Sequence, residues 1–184
     1  VKDVFILIDV ETDGPCPVKN SMLSLGAAAF VHNSERPIDT FEANLERLPG
    51  AVEDPATMAW WGKNMEAYER TRTYLEEPGA AMKRFSKWLD KLPVQGKRVA
   101  ACFPAGFDFT YVYVYSHLFL GESPLGFSAI DIKSYAMRQL FKPYSECTKR
   151  NFPKAWFDPK FVHTHVAVDD AIEQGVMFIR MLNS

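Results

Sequence analysis

Two acidic residues, Asp9 and Glu11, stand two positions apart where the apolar run Val4-Phe5-Ile6-Leu7-Ile8 gives way to the turn-forming Thr12-Asp13-Gly14-Pro15. In a strand this spacing sends both carboxylates to one face. Like charges at the end of a buried strand repel each other and resist desolvation, and a divalent cation between them answers both problems. The plainer alternative is a pair of solvated turn residues. Asp108 follows the breaker Pro104-Ala105-Gly106 and opens an otherwise apolar helix, where an N-cap is its alternative duty. His165-Val166-Ala167-Val168-Asp169-Asp170-Ala171 leads into the last helix. It places a base beside a ligand, or simply puts carboxylates in a first helical turn that favours them. Each group is weak alone; Asp9, Glu11, Asp108, His165 and Asp170 together point to metal-assisted acid–base chemistry.

These side chains need elements to hold them. Val4–Ile8 is apolar throughout, as in a strand buried on both faces. Met22 to Val31 reads as a strand that another backbone approaches closely at Gly26, and a third strand is expected over Ile38 to Ala43. Asp54-Pro55 signals a helix start with Asp as N-cap and Pro at the first helical position. A short aromatic helix follows to Trp61, then another over Asn64 to Tyr74. Met82, Phe85, Trp88, Leu89 and Leu92 recur at helical spacing after Pro78. Arg98–Phe103 predicts a strand, Asp108–Leu120 a helix, Ala129–Ile132 a strand running into a helix through Phe141, and Ala167–Leu182 a final helix. Residues 142 to 164 carry three prolines and no periodicity. The order predicts one α/β domain over residues 1–184, with a central mixed sheet of about five strands flanked by helices.

The formal charge of −2 is not that of a typical nucleic-acid binder. Two divalent cations held by the carboxylates would more than offset it, so a polyanionic substrate stays admissible. Cys16, Cys102 and Cys147 are scattered, which argues against a disulfide framework and a structural zinc site. No apolar run approaches the length of a membrane span, and no leader pattern precedes the first strand. A cytoplasmic protein is expected.

With these residues in place, the chain resembles the DEDDh exonucleases of the ribonuclease H-like superfamily, which include proofreading exonuclease subunits, oligoribonucleases and ribonuclease T. The resemblance rests on Asp9-Val10-Glu11-Thr12, Phe107-Asp108 and the His165-x-Ala167-x-x-Asp170 pattern, in the family's order across nearly the whole chain. It implies a ribonuclease H-like fold and a 3′–5′ exonuclease acting on the 3′ end of single-stranded nucleic acid. Asp9, Glu11, Asp108 and Asp170 match the metal-binding carboxylates, His165 matches the general base, and Thr12 matches a contact to the terminal nucleotide. Helical periodicity does not separate Asp169 from Asp170; the family's five-residue step from His165 favours Asp170. Two ions can activate water and stabilise the leaving oxygen, and oxygen ligands suit Mg²⁺ or Mn²⁺. Several relatives are homodimers, so a homodimer is a further implication.

Trp60-Trp61 after Thr57 resembles an element of some bacterial exoribonucleases. Trp60 is the candidate to stack on a base, with a core role for either ring as the alternative, and the pair tilts the expected substrate toward RNA. Three departures stand out. Pro104 replaces a polar residue common in relatives and removes a hydrogen-bonding group. Asp13 stands where Thr is frequent and is expected to affect how the substrate end is held. His163 is expected to be a loop residue without a chemical role. Asp131 reads as a helix cap, and Lys149, Arg150, Lys154 and Lys160 as a solvated basic edge. Two other readings are a nuclease-like domain that binds nucleic acid or protein without cutting, supported only by Pro104, and an endonuclease of the wider superfamily, which lacks the His165–Asp170 pattern.

Overall fold

A computed structural model of the chain describes residues 3–93, 95–161 and 163–184. The uninterrupted apolar run at the start becomes β1 (Val4–Thr12), the strand that touches both halves of the sheet. It pairs antiparallel with β2 (Met22–Val31), which pairs antiparallel with β3 (Asp39–Leu45). On its other side β1 runs parallel to β5 (Arg98–Cys102), and β5 runs parallel to β6 (Ala129–Asp131). A two-residue strand, β4 (Leu75–Glu76), adds a sixth member parallel to β3, giving the order β4-β3-β2-β1-β5-β6. Two residues are too few to leave a periodic signal, which is why the sequence predicts about five strands.

Alternation along β1 divides two cores. Val4, Ile6 and Ile8 face one layer, built with α3 (Pro78–Lys91) and α4 (Ala105–Leu120) through Met82, Phe85, Leu89, Tyr111 and Tyr115. Leu7 faces the other, built with α5 (Ile132–Leu140) and α6 (Ala167–Leu182) through Ile132, Ala136, Val176 and Phe178. Asp9 and Glu11 share the parity of Leu7, so they point to the face that α6 covers. Two short helices, α1 (Pro55–Trp61) and α2 (Met65–Thr71), close the β3 side; Asp54 caps α1 through the Thr57 amide at 2.8 Å. Among the described residues, 142 to 164 carry three single 3-10 turns.

Several boundaries differ from expectation. β3 begins one residue later than predicted and runs on to Leu45. The helix expected to reach Tyr74 stops at Thr71, and Tyr74 sits at φ 50°. α4 starts at Ala105, not Asp108, so the Pro104-Ala105-Gly106 breaker is itself the helix entry.

Candidate active site

The end of β1 carries Asp9, which is buried, and Glu11, which is half-buried. Asp9 pairs across the ladder with Gly26 of β2. A Cβ on Gly26 would lie 2.1 Å from the Ala167 carbonyl carbon, so only glycine lets the start of α6 settle on the sheet here. That contact lowers Asp170, one turn into α6, onto Asp9. Carboxylate oxygens of Asp9, Glu11 and Asp170 all lie within 4.8 Å of one another. Asp108 enters from the opposite layer. Because α4 begins three residues earlier than predicted, Asp108 is a first-turn residue and not the N-cap, and its Oδ1 accepts the Val10 amide at 3.2 Å. Asp170 is fully buried whereas Asp169 is exposed, so the burial pattern separates the two neighbours that periodicity could not.

Charge is concentrated here at a cost. Burial, then the Asp170 charge, pushes Asp9 up to about 7. Burial followed by Asp9, Asp170 and Asp108 raises Glu11 well above the usual carboxylate range, and burial with Asp9 does the same to Asp108. Such groups gain from cations that replace their lost hydration. A set of buried oxygen donors with no thiolate among them fits hard divalent ions such as Mg²⁺ or Mn²⁺.

Asp170 also organises the approach to α6. Its Oδ1 accepts the Thr164 amide (2.8 Å) and its Oδ2 the His165 amide (3.0 Å), which fixes His165 in the left-handed region at φ 57°. A non-glycine residue held there costs on the order of 1–3 kcal/mol, offset by these bonds. The His165 ring meets the Trp60 ring edge to face at 4.8 Å. Burial, then the neighbouring His163, lowers its pKa, which keeps the imidazole neutral and able to accept a proton.

His163 departs from the expectation of an idle loop residue. Its Nδ1 lies 3.0 Å from Asp170 Oδ2 and 3.8 Å from Glu173, and these carboxylates raise it to about 9. Lys149, expected on a solvated basic edge, is instead largely covered and pairs with the buried Glu173. Both lie in the aperiodic segment, where no spacing could have disclosed them. Gln174 was also missed: its Nε2 donates to Asp9 Oδ1 at 2.7 Å. A signal did exist, because Gln174 stands four residues after Asp170 and therefore on the same helix face.

The remaining candidates divide. Trp60 is 40% exposed, whereas Trp61 is 1% exposed and donates from Nε1 to the Thr12 carbonyl at 2.9 Å. Thr12 is buried, and its hydroxyl donates to the Gly14 carbonyl. Asp13 is turned inward with 1% exposure; its Oδ1 accepts the Ser21 amide and Arg47 approaches its Oδ2 at 3.5 Å. It therefore braces the β1–β2 turn and presents no carboxylate to a ligand. Pro104 is the N-cap of α4 and offers no side-chain hydrogen bond there. Asp131 Oδ2 accepts the Ala105 amide at 2.8 Å while its Oδ1 caps α5 through Ser134.

No family model matches the chain. It is 32% identical over 186 residues to the 3′–5′ DNA exonuclease Cap18 of Escherichia coli, an alignment covering 96% of this chain and 90% of that protein. Among solved structures its fold is similar to the nuclease domain of 3′hExo, a DEDDh family member, bound to rAMP. The TM-score is 0.72 at 15% identity, over 99% of this chain and 92% of that one. Cell-death related nuclease 4 is similar with a TM-score of 0.64 at 14% identity, over 98% of this chain and 64% of that one. Apo exonuclease I is similar with a TM-score of 0.57 at 17% identity, over 76% of this chain and 32% of that one.

Proposed function

This chain belongs to the DEDDh family of 3′–5′ exonucleases, and we propose that it removes nucleotides one at a time from the 3′ end of single-stranded nucleic acid by a two-ion mechanism. The observation that carries this reading is the grouping of Asp9 and Glu11 from β1 with Asp170 from α6 beside His165, with Asp108 from α4 bonded to the Val10 amide between the first two. Asp9, Glu11, Asp108 and Asp170 would hold two divalent ions, Mg²⁺ or Mn²⁺, which when bound supply Lewis-acid stabilisation of charge on the attacking and leaving oxygens. His165 is the general base: its neutral imidazole takes the proton from the water that attacks the terminal phosphorus. The bond from that phosphorus to the 3′ oxygen of the preceding nucleotide breaks, and a nucleoside 5′-monophosphate leaves.

Trp60 supplies a partly exposed ring beside His165 on which the terminal base stacks. Thr12 borders the same nucleotide from the end of β1. The likeness to a DNA exonuclease moves the proposed sugar preference to DNA. The Trp60-Trp61 pair had tilted it to RNA, yet one of those rings belongs to the core. The test is a time course on 5′-labelled single-stranded DNA and RNA of one sequence, with Mg²⁺, Mn²⁺ or EDTA. Metal-dependent stepwise shortening, faster on DNA, is expected. His165→Ala is expected to lower the rate by about 10²–10⁴-fold with ion binding retained. Internal cuts, or shortening undiminished in EDTA, would overturn the mechanism.

A further inference from the structure

A cleft of roughly 460 Å³ opens between α2 and the Thr164–His165 turn, lined among others by Lys63, Asn64, Glu66, Arg70 and His165. Its cations are unlike the arginines around them. Arg47 is engaged by Glu53 and Tyr68, Arg72 by the Leu23 and Leu45 carbonyls, and Arg84 by Glu76. Among the described residues the side chains of Lys63 and Arg70 have no hydrogen-bond or ion-pair partner, and both are exposed. Asn44 donates to the Arg70 and Thr73 carbonyls, 2.9 Å each, and so fixes the turn from which Arg70 projects. Arg70 also borders a second cleft of roughly 420 Å³, which carries Glu42, Asp169 and the Arg84-paired Glu76.

We infer that the cleft between α2 and His165 is a phosphodiester track, in which Lys63 and Arg70 hold the strand immediately upstream of the 3′-terminal nucleotide. This assignment rests on the exonuclease reading of the adjacent carboxylates. Contacts of this kind position the strand without reading its sequence, and they carry a salt signature of about 0.7 in log–log slope per phosphate on single strands.

The test compares the Lys63→Gln/Arg70→Gln double variant with the parent chain on two substrates. One is a single-stranded 12-mer; the other is thymidine 5′-(4-nitrophenyl phosphate), which has a terminal nucleotide and a scissile phosphate but no upstream strand. The expected result is a rise in KM for the 12-mer of about tenfold near 0.1 M salt, with the salt slope shallower by about 1.4. Turnover of the nitrophenyl ester should be unchanged. An unaltered KM and slope on the 12-mer overturns the track, as does an equal loss on both substrates. Fluorescence anisotropy of a labelled 12-mer in EDTA separates the two levels of inference. If the parent chain cleaves neither substrate, weaker 12-mer binding by the double variant upholds the track while the exonuclease reading falls; equal binding overturns the track as well.

Discussion

Gly26→Ala should separate the stability of the fold from the alignment of the site. The added methyl would lie 2.1 Å from the Ala167 carbonyl carbon, 2.2 Å from the Val168 nitrogen and 2.3 Å from the Ala167 oxygen. All three are backbone atoms at the start of α6, so no side-chain rotation relieves the overlap, and the helix entry must retreat by more than 1 Å to restore ordinary contact. Overpacking of this kind costs about 1–3 kcal/mol, or about 3–10 °C in Tm for a chain of this size. Retreat of α6 carries Asp170 and His165 away from Asp9, and a 1 Å misplacement of catalytic groups costs about 10²-fold in rate. Gly175→Ala is the control. Its methyl would lie 2.1 Å from Cε2 of the buried Phe30 ring, further along α6. It is expected to destabilise comparably and to leave kcat within a few fold. Thermal melts and kcat on a labelled 12-mer at a temperature where both variants are folded decide the matter. Equal loss of kcat in the two variants, or full activity in Gly26→Ala despite the lowered Tm, would refute the idea that this contact places Asp170.

Other outcomes follow from the same geometry. Metal-free protein should lose stability as pH rises from about 4 to about 9. Asp9, raised from 3.8 to about 7, binds its proton more tightly when folded, and Glu11 and Asp108 shift in the same direction. His163, raised from 6.5 to about 9, stabilises fully below its unfolded value and ceases to do so as pH passes its folded one. Asp170 and Glu173 shift downward and act in the opposite sense only in acid. Urea unfolding across pH should show this slope, flattened in Asp9→Asn and reversed by millimolar Mg²⁺; a flat metal-free profile would contradict it. Gln174→Ala removes the donor to Asp9 and should weaken divalent-ion affinity about 10–100-fold by calorimetry, with the melt little changed. Trp60→Ala should raise KM by an amount equivalent to about 1–3 kcal/mol. Trp61→Ala should instead cost about 3–5 kcal/mol of stability, because that ring is core.

The types and local placement of the reactive residues were written in the chain. Strand alternation alone puts Asp9 and Glu11 on one face, the apolar run before them marks a central strand, and a glycine within β2 foretells a close backbone approach. The family pattern supplied Asp108, His165 and Asp170 by resemblance. Periodicity reports which side of an element is buried, because burial repeats with the helical or strand period; it says nothing of which distant element does the burying. The choice between Asp169 and Asp170 is of that kind. The seating of α6 leaves Asp170 buried and Asp169 in solvent, which no local repeat announces. The start of α4 was misplaced because Pro and Gly read locally as breakers, while Asp131, supplied by a distant strand, satisfies the helix entry. Lys149 and His163 come from a segment without a period, so no local signal could bring them to Glu173 and Asp170. Spacing thus pointed to Asp9 and Glu11 and to the strand that presents them, and the family resemblance supplied the other candidates. Only the tertiary structure, through the Asp9–Gly26 register, the seating of α6 and the packing of α4, decided that residues 9 and 170 meet and that Asp108 reaches the same end of β1, because convergence across so many residues is a property of packing and not of any local repeat.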